Sequence, residues 1–186
     1  EDGSEKMVVY GDNGEVYYTL DGSSFTEITG ITANLNGGGI ATDQYYPGVV
    51  GDEGKYYSLV GGTATELCVG LTTENLNAAV GDDASVYGFG VGDNGTIMRA
   101  DFTDPDNIVC TLRDSGKSEH LYSITMDTSG GESAFAVGAN GTFILTEDFG
   151  VTWITMDTGV SVDLNVIGFL GNTVTMAGDD GALIQT

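Results

Sequence analysis

The sequence predicts an all-β fold from three features that occur together. A short apolar run, the pattern Gly-x-x-Gly and a second apolar run recur five times, and the first glycines lie 40, 41, 46 and 40 residues apart. Val, Ile, Thr, Tyr and Phe fill the runs, and Gly, Asp, Asn and Ser fill the turns between them. No amphipathic helix of useful length interrupts this pattern. A period of about 40 residues indicates a repeat architecture, and we predict a small β-propeller of about five four-stranded blades. The glycine pairs are Gly11 and Gly14, Gly51 and Gly54, Gly92 and Gly95, Gly138 and Gly141, and Gly178 and Gly181.

Each repeat accommodates four short strands, and the third repeat shows them most clearly. Predicted strands at residues 85–91 and 96–100 flank a Gly-Asp-Asn-Gly turn, and strands at 108–112 and 121–126 follow. Asn and Gly accept the positive φ that a type I′ hairpin turn requires. We therefore predict a single domain over residues 1–186. Its repeats span roughly residues 6–45, 46–84, 85–131, 132–171 and 172–186.

The strands and the two end repeats bear on how the sheets are arranged. Strands such as residues 135–137 and 142–145 are apolar on both faces, which is typical of sheets stacked between other sheets. A β-solenoid is the alternative, although its coils are usually shorter. The first repeat has no innermost strand before its hairpin and ends with a predicted strand at 31–35, and the last repeat has no outer strand. Trimmed termini, three-stranded blades, or strands supplied by another chain would each explain this, and the last would favour assembly.

The charge excludes some partners. Five basic residues face 28 acidic ones, and the formal net charge is −23. Nucleic acid and anionic lipid both require clusters of Lys and Arg, so we expect neither partner. The acidity indicates solubility, with cation binding, a salty habitat or a basic partner as alternatives. No segment approaches the roughly 18 apolar residues of a membrane-spanning helix. The absence of an initiator Met leads us to expect a processed product or an excised domain.

The two cysteines hold nearly equivalent places in neighbouring repeats. Cys68 lies 17 residues after Gly51, and Cys110 lies 18 residues after Gly92. In a radial array, equivalent places on the outer rim are expected to be too far apart for a disulfide. We therefore expect two free, half-buried thiols.

One segment of the fourth repeat resembles a known motif. Residues 146–153, Thr-Glu-Asp-Phe-Gly-Val-Thr-Trp, match the Asp-box pattern, and residues 19–25 are a shorter copy in the first repeat. On this motif the chain resembles the bacterial neuraminidase repeat and Asp-box propellers. With the Gly-Asp-Asn-Gly-Thr-Ile turn and the Leu-Asn-Val-Ile segment at 164–167, it is most similar to the photosystem II stability and assembly factor branch.

This resemblance implies a structural role for the motif. In such propellers the Asp caps a turn between the third and fourth strands and the Trp packs between blades, which assigns these roles to Asp148 and Trp153, with Asp21 as the partial copy. The physical properties of the residues agree, because Asp accepts backbone N–H groups in turns, Gly150 tolerates positive φ, and Trp buries a large apolar surface.

The activities of the resembling families fit the chain poorly. Sialidases bind their substrate with a cluster of arginines, and this chain has only Arg99 and Arg113. The resemblance to the photosystem assembly factors implies a seven-bladed ring with a basic surface, whereas this chain has five repeats and is acidic. The resemblance therefore implies fold and not activity.

No constellation for catalysis, metal binding or cofactor binding stands out. The single histidine, His120, lies in a loop-like segment and makes no triad or metal site by spacing alone. Gly-x-x-Gly is not followed by the Lys-Ser/Thr of a phosphate-binding loop. The acidic corners lack the spacing of a calcium loop, and turn chemistry explains them better. We expect no enzyme activity, no cofactor and no metal. The corner acids are Asp12, Asp52, Glu53, Asp93, Asp179 and Asp180.

The tyrosines and the overall composition leave several functions open. Tyrosine pairs are more typical of blade cores than of a sugar-binding platform. The leading hypothesis is a non-catalytic binding or structural module displayed outside a cell or on a virion, as a capsid-decorating or tail-associated protein. The alternatives are a chaperone of the photosystem assembly type and a glycan-binding lectin. The tyrosines are Tyr17, Tyr18, Tyr45, Tyr46, Tyr56 and Tyr57.

Overall fold

Successive segments of the chain form antiparallel sheets in the order of the sequence repeats. The structure, a computed structural model, describes residues 7–19, 21–39, 48–60, 62–81, 86–104, 106–127, 132–170 and 173–186. Within these ranges 18 strands form five sheets, each a blade of a β-propeller. The all-β prediction is confirmed. The strands are β1 (Met7–Tyr10), β2 (Val16–Thr19), β3 (Thr26–Ile28), β4 (Leu35–Gly39), β5 (Gly48–Gly51), β6 (Tyr56–Val60), β7 (Thr63–Leu67), β8 (Leu76–Gly81), β9 (Tyr87–Gly92), β10 (Ile97–Asp101), β11 (Val109–Arg113), β12 (Leu121–Met126), β13 (Ala134–Gly138), β14 (Phe143–Thr146), β15 (Ile154–Thr155), β16 (Leu164–Leu170), β17 (Thr173–Gly178) and β18 (Leu183–Gln185).

The three middle blades have four strands and the two end blades have three. Blades 2, 3 and 4 are ordered β4-β5-β6-β7, β8-β9-β10-β11 and β12-β13-β14-β15. Blade 1 contains β1-β2-β3 and blade 5 contains β16-β17-β18. The first strand of each of blades 2 to 5 belongs to the segment that ends the preceding sequence repeat, so each blade begins one strand earlier than its repeat. Among the described residues, blade 1 therefore has no inner strand and blade 5 has no outer strand, as the pattern of the repeats predicts.

The hairpin turn of every blade has the geometry that its sequence predicts. In blade 3 the turn residues Asn94 and Gly95 have φ values of 53° and 69°. The Thr96 N–H donates to the Asp93 carbonyl oxygen at 3.0 Å. Two consecutive positive φ values closed by this hydrogen bond characterise a type I′ turn, whose twist matches that of the flanking strands.

The inner strand of blade 2 lies later than predicted. The sequence pattern places a strand at residues 31–35, whereas β4 spans Leu35–Gly39 and reads Leu-Asn-Gly-Gly-Gly. A Cβ on Gly37 would lie 2.5 Å from the Cα of Ala78 in the neighbouring inner strand. Close contact between inner strands selects glycine here, so this strand lacks the β-branched residues on which the prediction relied.

Each of blades 2, 3 and 4 packs one face on the blade before it and the other face on the blade after it. We call these the rear face and the forward face. In blade 4, Val137 and Phe143 pair across strands on the forward face, and they pack against Ile167 and Met176 on the rear face of blade 5. Similar apolar cores join blades 1 and 2, blades 2 and 3, and blades 3 and 4. Within the described ranges, no helix is long and apolar enough to span a membrane.

Candidate functional site

The first glycine of the hairpin turns lies against the neighbouring inner strand. A Cβ on Gly92 would overlap the carbonyl oxygen of Asn75, and Gly51, Gly138 and Gly178 face the equivalent carbonyl in their own blades. Gly11 has no atom within 4 Å of such a Cβ, because blade 1 has no inner strand among the described residues. The glycine is thus required by close approach in four blades and not in the first.

The acidic corners accept hydrogen bonds from the inner strands. Asp93 accepts from the side-chain amides of Asn75 at 3.2 Å and Asn77 at 3.1 Å. Asp52 accepts in the same way from Asn34 at 2.9 Å and Asn36 at 3.0 Å. These carboxylates fasten the hairpin turns of blades 2 and 3 to the inner strands of the same blades.

The same asparagines also connect neighbouring blades. Asn77 Nδ2 donates to the Leu121 carbonyl oxygen of the next inner strand at 3.0 Å. The Glu53 N–H, in the turn of blade 2, donates to Asn75 Oδ1 in blade 3 at 3.1 Å. Because Asn can donate and accept through one side chain, a single residue type satisfies both directions of this network. Repeated side-chain hydrogen bonds therefore connect the hairpin turns and inner strands of neighbouring blades.

Blade 4 departs from this pattern. Ala139 replaces the corner Asp, and His120 and Tyr122 replace the two asparagines. His120 Nδ1 lies 2.9 Å from Asp93 Oδ1, in the turn of blade 3. Tyr122 donates to Asp163 Oδ2 at 3.3 Å, and burial together with this carboxylate raises the pKa of the tyrosine. His120 thus continues the inter-blade contact with a ring instead of an amide.

The Asp-box segment of blade 4 forms a tight turn between β14 and β15. Asp148 Oδ1 accepts from the Thr146 hydroxyl and the Thr152 N–H, both at 2.8 Å. The Thr152 hydroxyl donates to the other carboxylate oxygen at 2.6 Å. Hydrogen bonds from Thr152 lower the pKa of Asp148 to about 2. Gly150, with φ 75°, completes the turn.

The aromatic residue after this turn packs on the blade before it. The Trp153 ring meets Phe89, on the forward face of blade 3, edge-on at 5.9 Å. In blade 1 the shorter copy of the motif folds alike, with the N–H groups of Ser23 and Ser24 donating to Asp21 at 2.8 Å. Its aromatic residue, Phe25, is exposed.

The two cysteines form a disulfide, so the prediction of free thiols is wrong. The Cα atoms of Cys68 and Cys110 lie 5.4 Å apart, within the usual range for such a bond. Cys110 belongs to the outer strand β11, whereas Cys68 lies just after β7, in the segment that crosses from blade 2 towards blade 3. The prediction treated the two positions as equivalent and did not foresee that this crossing segment meets the next blade.

The tyrosines divide between the cores and partly exposed positions. Tyr56 and Tyr57 are buried in the cores on either side of blade 2, as predicted, and Tyr17 and Tyr18 are half-buried in blade 1. Tyr45 and Tyr46 lie outside the described residues. In the described part of the chain, no three His, Cys, Asp or Glu side chains come together in a way that could hold a metal ion.

The forward face of blade 5 differs from the forward faces of the other blades. Leu183 is 69% exposed, whereas the residue at the same position in each other blade is at most 4% exposed. Val166 lies on this face and is 54% exposed, and Ala177 pairs with both residues across the strands. None of the four apolar cores covers this face. The equivalents of Leu183 are Val16, Tyr56, Ile97 and Phe143.

The rear face of blade 1 is open in the same way. Val9 is 46% exposed, whereas its equivalents Val49 and Met176 are each 1% exposed. Met7 and Phe25 extend this exposed apolar surface. We call the rear face of blade 1 and the forward face of blade 5 the two end faces. The sequence repeats indicate that strands are missing at the two ends. The exposure of two whole faces is seen only in the packing of the blades in the structure.

Comparison with known proteins supports the fold. No protein-family model and no curated protein matches the sequence. Among solved structures, the chain is similar to YCF48 bound to D1 peptide, with a TM-score of 0.71 and 16% identity over all of this chain and 62% of that chain. It is also similar to YCF48 from Cyanidioschyzon merolae, with a TM-score of 0.69 and 17% identity over 97% of this chain and 63% of that one.

A third similar structure is the propeller domain of a different protein. The β-propeller domain of Cps50 (Swd1) from Myceliophteria thermophila matches with a TM-score of 0.69 and 12% identity, over all of this chain and 65% of that one. The chain thus spans less than two thirds of each of these three structures. Agreement at such low identity concerns the fold, which is that of a β-propeller.

Proposed function

We propose that this chain is a non-catalytic β-propeller module that binds protein partners in an extracellular or virion-surface assembly, as a capsid-decorating or tail-associated protein. The observation that carries the proposal is the pair of end faces. Leu183 is 69% exposed where four other blades bury the equivalent residue. Contiguous exposed apolar surface marks sites of protein–protein contact.

Two properties of the chain support a location outside the cytoplasm. Disulfides persist in oxidising surroundings and are rare in the cytosol, and this chain contains the bond between Cys68 and Cys110. The net charge of −23 keeps such a protein soluble and discourages non-specific association with nucleic acid.

The content of catalytic residue types supports a role in binding. The chain has one histidine and two arginines, which is too few arginines for the carboxylate-binding cluster that the resemblance to sialidases would require. Three of the corner acids, Asp52, Asp93 and Asp179, accept hydrogen bonds from asparagines of the inner strands, which is a structural role.

The test is cosedimentation of the full chain with particles purified from its natural source. We expect the chain to pellet with the particles, and Val166→Glu to reduce the bound fraction at least about tenfold, because a charge on an apolar contact surface opposes docking. Val151→Glu is the matched control, since Val151 is equally exposed, at 54%, and lies in the Asp-box turn away from the end faces. A chain that stays in solution as a monomer, or variants that pellet alike, would contradict the proposal.

A second candidate is a peptide-binding assembly factor like the photosystem II factors. The observation that favours it is the similarity to YCF48, solved with a D1 peptide. Lys55 pairs with Glu66 in blade 2 and Arg99 is buried in blade 3, so neither of these two residues contributes to an exposed basic surface. Saturable binding of the D1 peptide to the full chain, measured by calorimetry, would favour this function over the first.

A further inference from the structure

The junction between blades 3 and 4 contains buried polar atoms without partners. Four side-chain atoms in the described residues are buried and make no hydrogen bond, and all four belong to this junction. Buried polar groups are normally paired, so such a concentration requires an explanation. The atoms are Arg99 Nε, Thr111 Oγ1, Arg113 Nε and Trp153 Nε1.

Strand register brings these side chains together. On the forward face of blade 3, Arg99 lies opposite both Phe89 and Thr111, and Arg113 lies one pair further along, opposite Ile97. Phe89 in turn contacts the ring of Trp153, which blade 4 contributes from its Asp-box segment. The outer half of this junction is therefore lined by both arginines of the chain and its only tryptophan.

In the described part of the chain neither guanidinium group forms an ion pair with a carboxylate, and Arg99 has only an electrostatic attraction to Asp101 on the same strand. In the described residues Lys55 forms an ion pair with Glu66, and the ring nitrogen of His120 contacts Asp93. Arg99 is only 9% exposed and its guanidinium carbon lies 3.8 Å from the centre of the Tyr87 ring. Stacking on an aromatic face leaves the N–H groups of an arginine free in the plane of the guanidinium.

The chemistry of the four atoms selects the kind of ligand. Arg Nε and Trp Nε1 are donors only, and the Thr hydroxyl can also donate. A set of donors with two positive charges calls for a ligand that accepts hydrogen bonds and is negatively charged. Arginine pairs with carboxylates by two parallel hydrogen bonds, which are the strong, charge-assisted kind.

We propose that the outer part of the junction between blades 3 and 4 is a binding site for a single carboxylate, held by Arg99 and Arg113 with Trp153 as a third donor. The ligand is a free small carboxylate or an acidic side chain of a peptide. This site is separate from the end faces and does not rest on the proposed function.

The test is a fluorescence titration of the full chain, because its only tryptophan is part of the site. Acetate is titrated against chloride at constant ionic strength, with Ac-Gly-Asp-Gly-NH₂ as the peptide probe. We expect a saturable change in indole emission with acetate and not with chloride. A tighter midpoint for the peptide identifies a peptide carboxylate as the ligand, and a tighter midpoint for acetate identifies a small free carboxylate.

Variants separate this site from a general effect of charge. Arg113→Gln, at the partly exposed arginine, is expected to weaken acetate binding at least about tenfold through the loss of a charge-assisted hydrogen bond. Lys117→Gln removes the same charge from the segment that follows β11, and because Lys117 is not one of the four unpartnered donors this variant is expected to bind normally. Arg99→Lys keeps the charge but loses the planar guanidinium that donates two parallel hydrogen bonds, and it is expected to weaken binding as well. Equal responses to acetate and chloride, or equal binding by the Arg113 and Lys117 variants, would overturn the proposal.

Discussion

Blades 4 and 5 carry the same hairpin turn but differ in what covers their forward faces. Phe143 of blade 4 is 4% exposed because blade 5 packs on it, whereas Leu183, at the same position of blade 5, is 69% exposed. The second turn glycine shows the same contrast. A Cβ on Gly141 would overlap the carbonyl oxygen of Val160, and one on Gly181 would meet no atom within 4 Å.

Blade 1 shows the complementary difference at its rear face. Trp153 of blade 4 packs on the blade before it, while Phe25, after the corresponding turn of blade 1, is exposed. The repeat thus encodes a blade with two apolar faces, and burial depends on the neighbours. An end blade keeps the residues of an interface, which makes the end faces suited to a partner.

The largest expected difference in stability between blades 4 and 5 comes from truncating the equivalent residue on the forward face of each. Phe143→Ala should lower the free energy of unfolding by about 3–5 kcal/mol, since it leaves a cavity between blades 4 and 5. Leu183→Ala should lower it by less than about 1 kcal/mol, because an exposed side chain has little burial to lose. Urea unfolding of both variants measures the difference. Equal losses would show that the forward face of blade 5 is covered in the free protein.

Reduction of the disulfide tests the joint between two internal blades. Cys68 and Cys110 are separated by 42 residues, and removal of a cross-link that closes a loop of this size is expected to cost about 4 kcal/mol. Urea unfolding with and without a phosphine reductant measures the cost. The double variant Cys68→Ala/Cys110→Ala is the control, since reductant should not change its stability. An unchanged unfolding midpoint on reduction of the natural chain would contradict the expectation.

The first turn glycine provides a matched pair of substitutions between an internal and an end blade. Both Gly92 and Gly11 have extended backbones, with φ values of −168° and −166°, that any residue can adopt. Gly92→Ala places a methyl group against the Asn75 carbonyl and should cost about 2 kcal/mol through the forced shift of packed backbone. Gly11→Ala meets open space and should be nearly neutral. Thermal unfolding compares them, and a costly Gly11 variant would mean that the face beside it is occupied.

Local features of the sequence were sufficient to predict the blade pattern. The Asn94 and Gly95 pair predicts a type I′ turn because this turn depends only on the φ values of its two central residues. The spacing of the turns along the chain predicts the five sheets. β4 was misplaced because Gly37 and Gly39 reflect close approach to Ala78 and Val80 of the neighbouring inner strand, and not strand propensity.

The remaining differences between sequence and structure have non-local causes. The disulfide depends on the path of the segment after Cys68 over the next blade, which no spacing reveals. Arg99 and Arg113 are 14 residues apart, and pairing of β10 with β11 places them on one face. Whether this face lies against Trp153 then depends on how blade 4 packs on blade 3. The sequence alone gives the number of arginines but not their position relative to the tryptophan.

The smallest expected effect is the contribution of the two Asp-box turns to the pH dependence of stability. Hydrogen bonds from Thr152 lower the pKa of Asp148 to about 2, and N–H groups of Ser24 and Ser23 lower that of Asp21 well below its usual range. A carboxyl group whose pKa is lower in the folded state stabilises the fold above its unfolded pKa, near 3.9, and this stabilisation is lost as pH falls through the folded value. For Asp148 the loss therefore lies between about pH 4 and pH 2, and solvent screening keeps it below about 1 kcal/mol.

Asparagine variants of both turns isolate these contributions. Asp148→Asn should flatten the fall in unfolding midpoint between pH 4 and pH 2 and should also loosen the packing of Trp153 on Phe89, seen as a change in indole emission. Asp21→Asn should flatten the same pH dependence without changing that emission, because Phe25 of the corresponding turn is exposed and contacts no preceding blade in the described residues. An Asp148 variant with the natural pH dependence would show that the Thr152 hydrogen bonds do not select the ionised carboxylate, and an emission change in the Asp21 variant would show that the two ends of the array are coupled.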